Sequence, residues 1–110
     1  MAHFMATCRY SPEARAALLA NPTDRTSAAA AIVESVGGKF HSGYLKVDEL
    51  EILVIFEAPD AIAATALSTT LQTSGAFTSV RITALLTASE AIEALKLSAE
   101  TKSQYKPPTR

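Results

Sequence analysis

Apolar and polar residues alternate from the start of the chain. Between His3 and Tyr10 (HFMATCRY), Phe4, Ala6, Cys8 and Tyr10 fall on one side, and His3, Met5, Thr7 and Arg9 on the other. A period of two is that of a strand. The same alternation returns in Glu51 to Glu57 (EILVIFE), which is rich in β-branched and aromatic residues. There Ile52, Val54 and Phe56 oppose Glu51, Leu53, Ile55 and Glu57. In Phe77 to Leu86 (FTSVRITALL), Val80, Ile82 and Ala84 oppose Phe77, Ser79, Arg81, Thr83 and Leu85. Lys39 to Lys46 (KFHSGYLK) reads as a further strand, joined to the next by a turn at Val47–Asp48–Glu49–Leu50.

Helical spacing fills the intervals. Ser11–Pro12–Glu13 combines a capping hydroxyl, a proline suited to the first helical position and an acid at the positive end of the dipole. That first piece runs to about Ala20, before Asn21–Pro22 interrupts it. Asp24 to Val36 is a stronger helix, with Ala28, Ile32 and Val36 recurring beside Ala29 and Val33, and Gly37–Gly38 stops it. Pro59–Asp60 opens another, with a stripe of Ile62, Ala66, Leu67, Thr70 and Leu71 that ends near Ser74–Gly75. Thr87–Ala88–Ser89–Glu90 has the form of a capping box and starts a last helix, Ala88 to about Ala99. A polar tail, Glu100 to Arg110, follows.

The order strand, helix, strand, strand, helix, strand predicts two fused β-α-β units with right-handed crossovers. The expectation is an α+β, ferredoxin-like βαββαβ domain over residues 1–99. Its four-stranded antiparallel sheet has order 4-1-3-2, both main helices on one face and an extra C-terminal helix.

The second sheet face is the informative one. It carries Met5, Leu53, Ile55 and Leu85 together with Arg9, Glu51, His3, Glu57 and, from the outer strand, His41 and Leu45. Such a face is too apolar for open water and too charged for an ordinary core. Antiparallel pairing sets Arg9 near Glu51 and His3 near Glu57, pairs that can fix register. A second copy of the sheet laid over this face is the simplest cover, so a homodimer is expected.

Composition narrows the class. At 110 residues and 48% hydrophobic, the chain suits one domain with a small core. A net charge of −1 points to neither nucleic acid nor a membrane surface as partner. No apolar run is long enough to span a bilayer, and the first residues lack the pattern of a signal peptide. With a single cysteine, Cys8, no internal disulfide can form. The expected location is the cytoplasm.

Several segments resemble the GYD-domain proteins. They are Tyr10–Ser11–Pro12–Glu13 after the first strand, Val36–Gly37–Gly38–Lys39 at a helix end, and above all Val54–Ile55–Phe56–Glu57–Ala58–Pro59–Asp60. Val80–Arg81 and the helix start near Glu90 also fit, and the likeness covers roughly residues 3–95. The resemblance implies a ferredoxin-like fold in the dimeric α/β-barrel group and a biochemical role that is largely unassigned. The family's Gly-x-Tyr-Asp turn falls on Asp48–Glu49–Leu50–Glu51, where only the acidic position survives, as Glu51.

Candidate chemistry is sparse. His41, on the mixed face, is of a type that can act as acid or base near neutrality, and equally suits the rim of an interface. Arg9, Tyr44 and Arg81 can line a pocket where an arginine grips a carboxylate. With Glu51, these are the candidate ligand-binding residues. His3, His41, Glu51 and Glu57 share a face, but interface salt bridges are the simpler reading, so neither a metal site nor a cofactor is expected. Cys8 faces the helices and reads as a small hydrophobe. No phosphate loop, nucleophile triad or dinucleotide fingerprint is present.

Three functions compete. One is a small-molecule-binding or non-enzymatic dimeric α/β-barrel protein. Another is a cofactor-free monooxygenase- or isomerase-like enzyme using His41, with Arg9 and Glu51 on the same face, which rests on fold analogy. The third is a structural or regulatory subunit that makes contact through its tail.

Overall fold

The computed structural model describes residues 1–109. Its elements run β1 (Ala2–Tyr10), α1 (Pro12–Ala20), α2 (Thr26–Ser35), β2 (Lys39–Leu45), β3 (Glu51–Ala58), α3 (Ala61–Thr73), β4 (Phe77–Leu85) and α4 (Ala88–Thr101). A single 3₁₀ turn, Lys102–Gln104, ends the ordered helix. The strands form one antiparallel sheet in the order β2-β3-β1-β4, the ferredoxin-like arrangement that the element order predicts.

Local chemistry sets the helix starts. The Ser11 hydroxyl accepts from the Ala14 amide at 3.2 Å, and the Asp60 carboxylate from the Ala63 amide at 2.9 Å. Thr87 and Glu90 form the reciprocal capping box of α4. At α2 the structure departs from expectation. The helix begins at Thr26 rather than Asp24, because Asp24 spends its carboxylate on the Thr26 amide from outside the helix. Gly37, at φ +80°, turns the chain out of α2.

The core lies between one sheet face and α2 and α3. Phe4, Ala6 and Cys8 of β1 meet Val54, Phe56 and Ala58 of β3, with Val33 of α2 and Ala64 and Leu67 of α3 above them. Phe56 is 0% exposed. Burying such a side chain contributes roughly 1.5–3 kcal/mol. Leu53 and Ile55 point to the opposite face, so the predicted alternation of β1 and β3 holds.

Three details differ from the sequence reading. On α3 the buried row is Ala64 and Leu67, with Ala63 and Leu71 beside it, while Ile62 is 80% exposed. The helix is rotated so that Ile62, Ala66 and Thr70 share its outer side. Phe77 stacks on Tyr10 at 5.1 Å on the core side, not on the open face. A register shift between Arg9 and Tyr10 leaves Thr78 as the extra residue and reverses the alternation before it. A second bulge lies between Phe40 and Ser42 of β2 and leaves His41 as the extra residue. Downstream of it Leu45 pairs with Ile52, which carries Leu45 to the helix side.

α4 stands away from this body. It makes no substantial contact with the sheet or with α1–α3, and none of its residues is buried. The radius of gyration is 17.7 Å, against about 13 Å for a compact chain of this length. α4 runs to Thr101 rather than Ala99, so the start of the expected polar tail is helical. Arg110, the last residue of that tail, lies outside the described residues.

Candidate functional site

Two charged clusters mark opposite ends of the open sheet face. At one end Arg9 pairs across strands with Glu51, as the alternation predicts. Arg9 Nη2 donates to Glu49 Oε2 at 2.8 Å, and its Nε lies 3.7 Å from Glu51 Oε2. Lys46 Nζ donates to the other Glu51 oxygen at 3.1 Å. The Glu51 carboxyl is held below its ordinary range by hydrogen bonding with the Glu49 side chain first and with Lys46 second. Of the sequence-picked residues, Arg9 and Glu51 therefore meet in an ion-pair network that ties the β2–β3 turn to β1.

At the other end β1, β3 and β2 bring three side chains together. Glu57 sits on the central of these strands, directly across from His3. His41 reaches it from the β2 bulge, where the inserted residue re-aims the side chain. His41 Nε2 lies 2.5 Å from Glu57 Oε2, and His3 Nε2 lies 4.0 Å from Glu57 Oε1. The two imidazoles are nearly parallel, at 22° and 6.0 Å between centroids. Each of the three residues offers one nitrogen or oxygen within 4.8 Å of the other two. The hydrogen bond from His41, and then the charges of His3, His41 and Lys39, hold the Glu57 carboxyl below its ordinary range. An imidazole oriented by a carboxylate can move a proton or bind a cation. These are the residues of this face that could hold a metal.

The clusters lie about 20 Å apart along β3, from Glu51 to Glu57. His41 therefore does not share a site with Arg9 and Glu51. Arg81, across from Thr7 on β4, joins neither cluster. Tyr44 is 63% exposed and pairs with Leu53 on the open face, in neither cluster, while it also borders the rim of a hollow on the helix side.

That hollow was not legible in the sequence. α2 and α3 do not close over the sheet, and two adjoining cavities of about 340 Å³ and about 270 Å³ open between helices and strands. Both are lined by Tyr10, Arg25, Ala29, Ile52 and Val54, and the inner one reaches Cys8 and Phe56. Burial pushes the Tyr10 phenol up, and the adjacent charge and hydrogen bonding of Arg25 partly offset that. Arg25 precedes α2 without capping it by its side chain. Nothing in the spacing of apolar residues marks it as a cavity residue. Burial, and secondarily Glu51, push the Cys8 thiol up to about 11, which leaves it a poor nucleophile.

The family model described as "GYD domain" matches residues 4–95. No curated protein matches the chain. Among solved structures, Rv0793 from Mycobacterium tuberculosis is similar at 20% identity and a TM-score of 0.49, over 77% of this chain and 92% of that one.

Proposed function

The chain belongs to the GYD-domain family, and from that premise we propose that it works as a homodimer in which each protomer binds a small apolar molecule with an acidic head. The observation that carries the binding reading is the unclosed space between α2, α3 and the sheet. Its volume lies at the lower end of ordinary ligand sites, and its walls are apolar apart from a few polar groups. Arg25 is the cation at that wall, beside the Tyr10 phenol. A guanidinium there suits a carboxylate, while Ala29, Ile52 and Val54 suit the apolar body.

The dimer reading rests on the other face. Met5, Leu53, Ile55 and Leu85 are only half-buried there, and no helix of the protomer covers them. α4 adds exposed Ile92 and Leu95. A second sheet laid across this face would bury both sets, as in a dimeric α/β barrel.

Titration with octanoate, followed by calorimetry, tests the binding reading. Saturable binding near one per chain is expected. Arg25→Gln should weaken it about tenfold or more, the scale of a charge-assisted hydrogen bond, and Ala29→Trp should block it. Absence of saturable binding by both octanoate and octanol overturns it. Light scattering tests the dimer. The wild type should have twice the protomer mass, and Leu53→Glu should give monomer. A wild type that stays monomeric at tens of micromolar sinks the assembly.

One observation favours an enzyme reading, the cofactor-free monooxygenase- or isomerase-like alternative. It is the carboxylate-oriented imidazole of His41. That pair stands on the open sheet face, across the sheet from the apolar cavity, so a substrate for it would have to sit between protomers.

A further inference from the structure

We propose that His3, His41 and Glu57 form a binding site for a borderline-soft divalent ion of the zinc type. The site lies across the sheet from the ligand cavity and does not depend on that reading. Its frame is rigid backbone. Three neighbouring strands each supply one donor, with Glu57 on the middle strand and an imidazole on either flank. His3 is locked opposite Glu57 by register, and His41 is aimed by the bulge.

The distances suit an ion. Four-coordinate zinc, with ligands near 2.0–2.2 Å, holds its donor atoms about 3.3 Å apart. Here His41 Nε2 is 2.5 Å from one Glu57 oxygen, His3 Nε2 is 4.0 Å from the other, and one donor atom from each residue falls within 4.8 Å of the other two. Shifts of about an ångström, within reach of imidazole and carboxylate torsions, bring the three around one centre.

A plain salt bridge accounts for less. It satisfies His41 but leaves His3 too far from Glu57 for a hydrogen bond. His3 Nδ1 is buried and has no partner among the described residues. The nitrogen turned toward Glu57 is the other one, Nε2, and a cation bridging the three side chains gives that nitrogen the partner which the 4.0 Å separation denies it. Two nitrogens and one carboxylate are also the donor set of sites with an open coordination position. Imidazole donors disfavour magnesium and calcium, which take oxygen. Glu90 adds negative charge on the His3 side but is engaged in the α4 capping box, and Lys39 opposes from β2.

The test is calorimetric titration of the untagged, chelator-stripped 110-residue chain with zinc alone. One ion per chain is expected, with magnesium and calcium silent. His3→Ala, His41→Ala and the near-isosteric Glu57→Gln should each weaken binding by about tenfold or more, with unchanged far-UV dichroism. Cys8→Ser should bind as the wild type does. Cobalt substitution gives a readout independent of any variant's folding. The wild type should show the strong visible bands of a four- or five-coordinate nitrogen–oxygen site, without thiolate charge transfer. No zinc binding, retention of wild-type affinity in His41→Ala and Glu57→Gln, or a thiolate band lost in Cys8→Ser would each overturn the site.

Discussion

Gly38 lies so close to the carbonyl oxygen of Glu57 that a Cβ at this position would collide with it and with Val33. The contact pins the end of α2 onto β3 at the strand position that carries the histidine-facing carboxylate. Gly38→Ala must push helix and strand apart, and roughly 1–3 kcal/mol of stability should be lost. Gly43→Ala is the comparison. Its Cβ would meet Phe40 at 3.5 Å, an ordinary contact. Urea denaturation of the two variants should place Gly38→Ala clearly below Gly43→Ala, and equal midpoints would contradict the close approach.

The two faces of α3 and β3 predict contrasting costs. Phe56 is fully enclosed, so Phe56→Ala should cost roughly 3–5 kcal/mol. Ile62 stands in solvent, and Ile62→Ala should stay within about 0.5 kcal/mol of wild type. Equilibrium unfolding measures both. A large loss at Ile62 would mean that the apolar stripe read from the sequence is the packed one after all.

Cys8 makes stability depend on alkaline pH. In the unfolded chain a thiol ionises near 8.5, whereas in the folded protein burial delays this to about 11. The folded value is the higher one, so the contribution is complete below about 8.5 and declines as pH rises towards 11. The stability advantage of wild type over Cys8→Ala should therefore shrink between about pH 8 and pH 10.5. A constant difference across that window would show that the thiol is not shielded. Slow labelling by thiol reagents in the folded state should accompany the effect.

Thr87 starts α4 almost unaided by tertiary packing. Thr87→Ala removes the acceptor for the Glu90 amide and should cost about 0.5–2 kcal/mol of helix stability. Faster amide exchange from Ala91 to Thr101, with little change at Phe56, is the expected signature.

Much of this architecture was legible because two-residue alternation is a direct physical record of a strand between unlike surroundings. Val54 and Phe56 against Leu53 and Ile55 decided the faces of the sheet, and the pairing of Arg9 with Glu51 and of His3 with Glu57 followed from it. Alternation fails where a residue is inserted. Thr78 and His41 are such insertions, and they moved Phe77 and Leu45 to the side opposite the expected one. A bulge carries no composition signal of its own, so neither could be placed from spacing. On α3 every face is small or mildly apolar, and the choice between Ile62 and Ala64 was left to packing. The meeting of His3, His41 and Glu57 depends on register across three strands. The cavity depends on how far α2 and α3 stand apart, a quantity that no local pattern encodes.

The outlying position of α4 divides the chain into two unequal thermodynamic parts. Amides of the sheet are released only when the whole core opens, whereas those of the helix answer to fraying and local melting. Amide protection along α4 and amide protection at Phe56 should then trace separate transitions in the lone chain. An assembly that seats the helix would merge the two curves, and the gap between them gauges how firmly a neighbour has taken hold.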